Sequence, residues 1–362
     1  MAGDRQRAEF RHAGDRVVST AWPERVGSVE ELEELLSRPT DLVCEVLRRL
    51  SGDLLLLGAG GKMGLSLARM ARRAWDRVGH RGRVIAVSRF GGGGEGLFHS
   101  QGIETLRCDL LSLEQLRNLP QAENVIAMTG RKFGSTGDQP LTWAMNTLLA
   151  ADICRKFPAS RLVAFSTGNV YGLVPVAGGG SREGDPPQPV GEYAQSCLGR
   201  ERLYQHGSRT LGIPTALIRL NYACDLRYGV LIDLACRVRH RQPVDLSMGY
   251  FNTIWQGAAN AQTLCAFEHL TCPPWIVNVS GSEILSVRDV CETLADLWNV
   301  SVEFTGTEST TALLSNNGLA RSLWGSPAVT TERLLHWVAN WIESGRPLLG
   351  KPTHFESREG QF

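Results

Sequence analysis

The sequence predicts an α/β protein: a doubly wound parallel sheet, with a smaller C-terminal lobe behind it and a helical extension ahead of it. Three observations carry this. Short apolar runs alternate with longer helical stretches from Asp53 to about residue 222. The runs are continuously apolar, the pattern of strands covered on both faces. The stretches between them are long enough for the crossover helices that parallel pairing requires.

Taken in order, residues 1–27 carry no hydrophobic periodicity and are expected to form a loose arm. Ser28 and Glu31 have capping-box spacing, followed by Leu32, Leu35 and Leu36 at helical intervals, and Pro39 ends that helix. A second amphipathic helix carries Leu42, Val43, Val46, Leu47 and Leu50. The strand runs are LLLLG (54–58), RVIAVS (83–88), NVIAM (124–128), RLVAFS (161–166) and TALIRL (215–220), with a further strand before the RCDL stretch that contains Asp109. Beyond residue 222 the alternation breaks up. IVNVSG (276–281) reads as one more strand, with helices near 286–298 and 331–344. The expected division is 1–52 for the arm and helical extension, 53–222 for the sheet domain, and 223–362 mainly for the second lobe and a tail.

With 362 residues, 43% hydrophobic and 21% charged, the chain can bury a large core. A net charge of +1 excludes a polyanion partner such as nucleic acid, whose binding depends on clustered cations. The cluster Arg237, Arg239, His240 and Arg241 is expected to solvate a helix end. No run approaches the ~20 apolar residues of a membrane span, and the arginine-rich N-terminus lacks the apolar segment of a secretory signal. Nine cysteines without a CxxC pair suggest a reducing, cytoplasmic setting. Cys265, His269 and Cys272 do not have the spacing of a zinc site, so no metal is expected.

The stretch LLLLGAGGKMGLSLARMARR puts Gly58, Gly60, Gly61 and Gly64 between a strand and a helix. A dinucleotide pyrophosphate needs this arrangement: missing Cβ atoms let the backbone approach the phosphates, and the helix N-terminus offers free N–H groups and a positive dipole. The sheet is thereby expected to be of Rossmann type. Where an NAD site would show an acidic residue at the end of the second strand, Ser88 and Arg89 stand instead. Arg89 has the charge and fork for a 2′-phosphate, which favours NADP over NAD. Asp109 is placed either to meet the adenine side or to cap its own loop.

FSTGNVYG at 165–172 and a tyrosine, Tyr193, 26 residues beyond Thr167 complete a pattern. With the GxxGxxG spacing of Gly58, Gly61 and Gly64, it resembles the extended short-chain dehydrogenase/reductase superfamily, in its epimerase/dehydratase branch, over about residues 53–345. The resemblance implies Tyr193 as catalytic acid/base, Thr167 as the partner hydroxyl and Asn146 as a supporting residue. It implies a cofactor site of Gly58, Gly60, Gly61, Lys62, Met63, Gly64, Ser88, Arg89, Asp109, Leu110, Thr129, Gly130 and Tyr193. NAD or NADP would be the cofactor and a polar, sugar-derived small molecule the substrate. A homodimer is a frequent arrangement of the family and is left open for this chain.

In one position the pattern fails. The family's YxxxK lysine supplies positive charge to the tyrosine and holds the nicotinamide ribose, and here that position is Cys197. Tyrosine, with a pKa near 10, is a poor base without such a cation. Only four lysines occur among 38 cationic residues. Lys132, with Arg131 beside it just past the fourth strand, is the leading substitute. Lys62 is expected near phosphate. Arg200, seven residues after Tyr193, lies about 10 Å along the helix axis, beyond reach unless it folds back. Two alternatives stay open: a reactive Cys197 thiolate, and a protein that binds NAD(P) as a sensor or scaffold without turnover. The tail GKPTHFESREGQF, with Lys351 and His354, is either an exposed terminus or a lid over the cleft.

Overall fold

The computed structural model describes residues 22–361, so most of the expected N-terminal arm lies outside the described residues. Seven strands form one parallel sheet: β1 (Leu54–Leu57), β2 (Val84–Ser88), β3 (Glu104–Arg107), β4 (Asn124–Ala127), β5 (Arg161–Thr167), β6 (Thr215–Leu220) and β7 (Trp275–Val279). Their order is β7-β6-β5-β4-β1-β2-β3. This is the doubly wound topology, with its switch point between β1 and β4, where open α/β sheets bind ligands. Leu54 pairs with Val84 on one side and Asn124 on the other.

The continuous apolar runs follow from cover on both faces. Leu54, Leu56, Val84 and Ala86 pack toward one side, and Leu55, Leu57, Ile85 and Val87 toward the other, where Leu149, Ile153 and Tyr204 meet them. The edge strand β3 is the exception, with no fully covered residue.

The helical extension bridges two cores. In α1 (Val29–Leu36), Leu32, Leu35 and Leu36 enter the core of the second lobe; in α2 (Asp41–Arg48), Val43, Val46 and Leu47 pack onto the sheet side. Ser28 caps α1 by accepting from the Glu31 N–H at 3.1 Å, while the Glu31 carboxylate takes the Gly27 N–H at 2.7 Å, one residue before the expected capping-box partner. Polar ties fix the layer. The Trp75 indole of α3 (Gly64–Val78) donates to the Leu47 carbonyl at 3.1 Å, and Arg73 pairs with Glu34 at 2.7 Å.

Segment 223–362 is divided in space. Helices Val230–Arg239, Val287–Trp298 and Thr331–Glu343 build the second lobe around Trp337 and Trp341. Its β7 completes the main sheet and its helix Gln256–Cys265 lies against α2 and α3. The tail is folded down: Leu349 N–H donates to the Arg227 carbonyl at 3.0 Å, Phe355 is buried, and Arg358 donates to the carbonyls of Ser247 and Thr311 at 3.1 and 2.8 Å. From Thr353 onward the tail is packed on the lobe through Phe355 and Arg358, while Lys351 before it stays exposed. No helix among the described residues is long and apolar enough to cross a membrane.

Because α2 is part of the core, Leu47→Ala should lower unfolding free energy by about 2–5 kcal/mol, read from urea denaturation. Leu97→Ala, at a side chain 59% exposed, should stay within about 0.5 kcal/mol of the parent.

Candidate active site

A cavity of about 900 Å³ opens at the carboxyl edge of the sheet, between the glycine loop and the second lobe. Gly60, Gly61, Lys62, Met63 and Arg89 line it at one end, and Gly130, Lys132, Thr167 and Tyr193 at the other. The other residues implied by the resemblance stand behind this wall. Gly58 has φ +87°, and a Cβ there would approach Thr129 Cγ2 to 2.8 Å. A side chain at Gly60 would collide with Ser88 Oγ, and one at Gly64 with the Ala59 carbonyl. At Gly61 the only neighbour within 4 Å is the Gly58 carbonyl at 3.5 Å, so its missing side chain leaves free space in the cavity. The loop is therefore a backbone-lined cradle at the start of α3, and it fits a dinucleotide pyrophosphate. Arg89 is exposed at the end of β2. The Asp109 carboxylate accepts from Leu111 N–H at 3.1 Å, holding its own loop. Leu110 is buried, and its neighbour Leu111 faces the cavity instead.

Tyr193 sits in the first turn of helix Gly191–Leu211, hereafter the Tyr193 helix, and Thr167 ends β5. Both line the cavity, and Thr167, Cys197 and Arg200 all act on the Tyr193 hydroxyl. Thr167 Oγ1 already accepts from Asn169 N–H at 3.2 Å and Asn169 Nδ2 at 3.0 Å. Its own proton is thus left available for a ligand or neighbour in the cavity. Burial pushes the Tyr193 phenol well above its ordinary range and Cys197 adds to this, while Arg200 and Thr167 oppose it. Burial also raises the Cys197 thiol, against Arg200, Tyr193 and Lys132. Cys197 consequently stays a thiol near neutrality, which counts against its acting as a thiolate nucleophile.

Arg200 does fold back. The side chain is buried, with Nε donating to the Asn146 carbonyl at 3.1 Å, Nη1 to the Phe165 carbonyl at 3.0 Å and Nη2 to Asn146 Oδ1 at 2.6 Å. The guanidinium therefore lies under Gly130, where a Cβ would come within 2.8 Å of it. Asn146 belongs to a π-helical turn, Ala144–Leu148; it also accepts from Arg131 N–H at 2.8 Å and donates to Ser196 Oγ at 2.9 Å. A wider π turn allows one side chain to reach both the β4 loop and the Tyr193 helix.

Beneath this layer lies a buried network that the sequence reading passed over. Glu201 and Arg219 form a bidentate pair at 2.9 and 2.8 Å, Ser166 donates to Glu201 at 2.6 Å, and Arg219 donates to the Tyr171 hydroxyl at 2.6 Å. The available signal was the arginine inside TALIRL, a charge in a strand otherwise apolar.

Three of the four lysines line the cavity. Lys62 Nζ lies 2.9 Å from the centre of the Tyr228 ring and 4.6 Å from that of Phe133. Burial, with repulsion from Lys132 and Lys351, lowers its pKa to about 7. Lys132 Nζ donates to the Thr353 carbonyl in the tail at 2.9 Å, and burial lowers its pKa to about 8.

No family model and no curated protein matches the sequence. Solved structures match by shape. The UDP-glucuronic acid 4-epimerase from Bacillus cereus in complex with NAD superposes with TM-score 0.63 at 17% identity, covering 81% of this chain and 99% of that one. The UDP-glucose 4-epimerase of the hyperthermophilic eubacterium Thermotoga maritima, solved with UDP-glucose, gives 0.66 at 14% identity over 81% and 99%. MoeE5 in complex with UDP-glucuronic acid and NAD gives 0.63 at 20% identity over 81% and 100%. The chain has the fold of these proteins.

The buried ammonium of Lys62 has a direct consequence for stability. A cation whose folded pKa lies near 7, against 10.5 when exposed, costs the folded state most below pH 7, and the cost fades as pH rises toward 10.5. Lys62→Met should therefore raise the melting temperature of the ligand-free protein more at pH 6 than at pH 9.

Proposed function

We propose that this protein is an NAD(P)-dependent oxidoreductase or epimerase/dehydratase, working by hydride transfer at a hydroxyl-bearing carbon of a polar, sugar-derived small molecule. The observation that carries this reading is the placing of Thr167 and Tyr193 together on the wall of a cavity that begins at the glycine cradle. The glycine loop, with Met63 and the N-terminus of α3, would hold the pyrophosphate. Thr129 and Gly130 would border the dinucleotide, and Arg89 favours NADP. A nicotinamide bound there would supply the hydride acceptor and donor.

The protein's own residues then manage the proton. Burial keeps Tyr193 neutral at rest, so it is ready to give its proton to a carbonyl oxygen as that oxygen becomes an alkoxide. In the reverse direction the phenolate must be held briefly, and Thr167 and the fixed Arg200 guanidinium favour that charge. Lys132, on the same cavity wall as Tyr193, would bring a second cation to the reacting oxygen in place of the family's lysine. Asn146 acts as a positioning residue, tying Arg200, the β4 loop and the Tyr193 helix together.

A second reading, NAD(P) binding without turnover, is favoured by the thiol at position 197 and the strongly raised phenol. Two measurements separate the readings. Tyr193→Phe should leave NADPH binding, by fluorescence titration, within about twofold, while turnover of hydroxy and keto sugars falls by about 10²-fold or more. A parent protein that binds NADPH and turns over none of these sugars would favour the sensor. Lys132→Ala should lower kcat by about 10-fold or more with an unchanged melting profile; unaltered kinetics would remove Lys132 from the mechanism.

A further inference from the structure

The three cavity lysines come from three separate parts of the chain: Lys62 from the glycine loop, Lys132 from the β4 loop and Lys351 from the tail. Lys62 and Lys132 repel one another, and Lys351 adds to the repulsion on Lys62. Such an arrangement is unfavourable unless something anionic offsets it. The nearby carboxylates are committed elsewhere. Asp225 is held by Arg227 at 2.7 Å, Asp233 accepts both the N–H and the hydroxyl of Thr353 at 2.7 and 2.6 Å, and Glu356 faces Arg237 at 3.3 Å. Among the described residues, no carboxylate lies within ion-pair distance of Lys62 or Lys351.

The direction of Lys62 separates this cluster from the cofactor cradle. Its ammonium sits on the ring of Tyr228, in the connection leading into helix Val230–Arg239, and beside Phe133 after β4. It therefore reaches across the cleft toward Tyr228 of the second lobe.

We propose that Lys62, Lys132 and Lys351 form a substrate subsite for a dianionic oxyanion, matched best by a phosphate monoester, close to the carbon that faces Tyr193. Ammonium groups bind phosphate as point charges, and three of them around one cavity balance a dianion without demanding a fixed fork geometry. The tail completes the subsite, since it contributes Lys351 and holds Lys132 through the Thr353 carbonyl. The inference rests on the reading of the adjoining cleft as the hydride-transfer site.

Inorganic phosphate is the probe, titrated calorimetrically into the full chain, with NADPH titrated separately. Lys351→Met, at an exposed side chain that should not disturb folding, is expected to weaken phosphate about 10-fold and to leave NADPH within twofold. Lys62→Met should weaken phosphate at least as much. Equal phosphate affinity in the parent and both variants would overturn the subsite. Loss of NADPH affinity in Lys351→Met as large as that for phosphate would also overturn it, by assigning the lysines to the cofactor's phosphates. Lysine-dependent phosphate binding in a parent protein without NADPH affinity would support the anion site while overturning the cofactor reading.

Discussion

The candidate site depends on one buried ion pair. Glu201 and Arg219 are 0% and 3% exposed at their side chains, so neither charge is tolerable without the other. Their hydrogen bonds join the Tyr193 helix to the ends of two adjacent strands: Ser166 of β5 donates to Glu201, and Arg219 belongs to β6. Arg219 extends the connection to Tyr171, whose hydroxyl donates to Asn278 of β7 at 2.9 Å. Rotation of the helix would leave a desolvated carboxylate, so its face is fixed. Ser166 and Glu201 thereby hold the Tyr193 helix beside the end of β5, the strand that Thr167 closes.

The second constraint is close approach. Gly199 packs against Thr147 and Gly207 against Cys154, where Cβ atoms would come within 2.9 and 2.6 Å of the facing side chains. The Tyr193 helix thus lies near enough to the preceding helical run for Asn146 to bond Ser196 and to receive Arg200. At the other end Gly191, with φ +81°, packs against Gly360 of the tail. The tail, the second lobe and the Tyr193 helix therefore enclose the cavity together.

Within that enclosure the electrostatics are unbalanced in a particular way. Thr167 is buried and the Tyr193 phenol half-buried and neutral, while the cavity wall carries three lysines. Burial disfavours the charged forms of Lys62 and Lys132, and both face the same space as Tyr193. Perturbed groups gathered in one cleft are a recurring property of functional sites, although ion-pair networks produce them as well.

The sequence by itself determined the sheet and the glycine loop, because these rest on local rules; it offered Thr167 and Tyr193 as a pair only through the family resemblance. Buried strands must be apolar on both faces, a backbone cradle must be glycine, and a helix places fixed spacings on fixed faces. It also marked Cys197 as the break in the pattern. Only the tertiary structure decided which cations stand near that break. Arg200 lies some 10 Å along the helix by spacing, yet its side chain is turned back by three acceptors supplied by two other segments. The same holds for the tail, whose fold depends on Asp233, Arg227 and Thr311 far away in sequence. Such long-range polar contacts carry no periodicity, so they become visible only when the chain has brought their partners together.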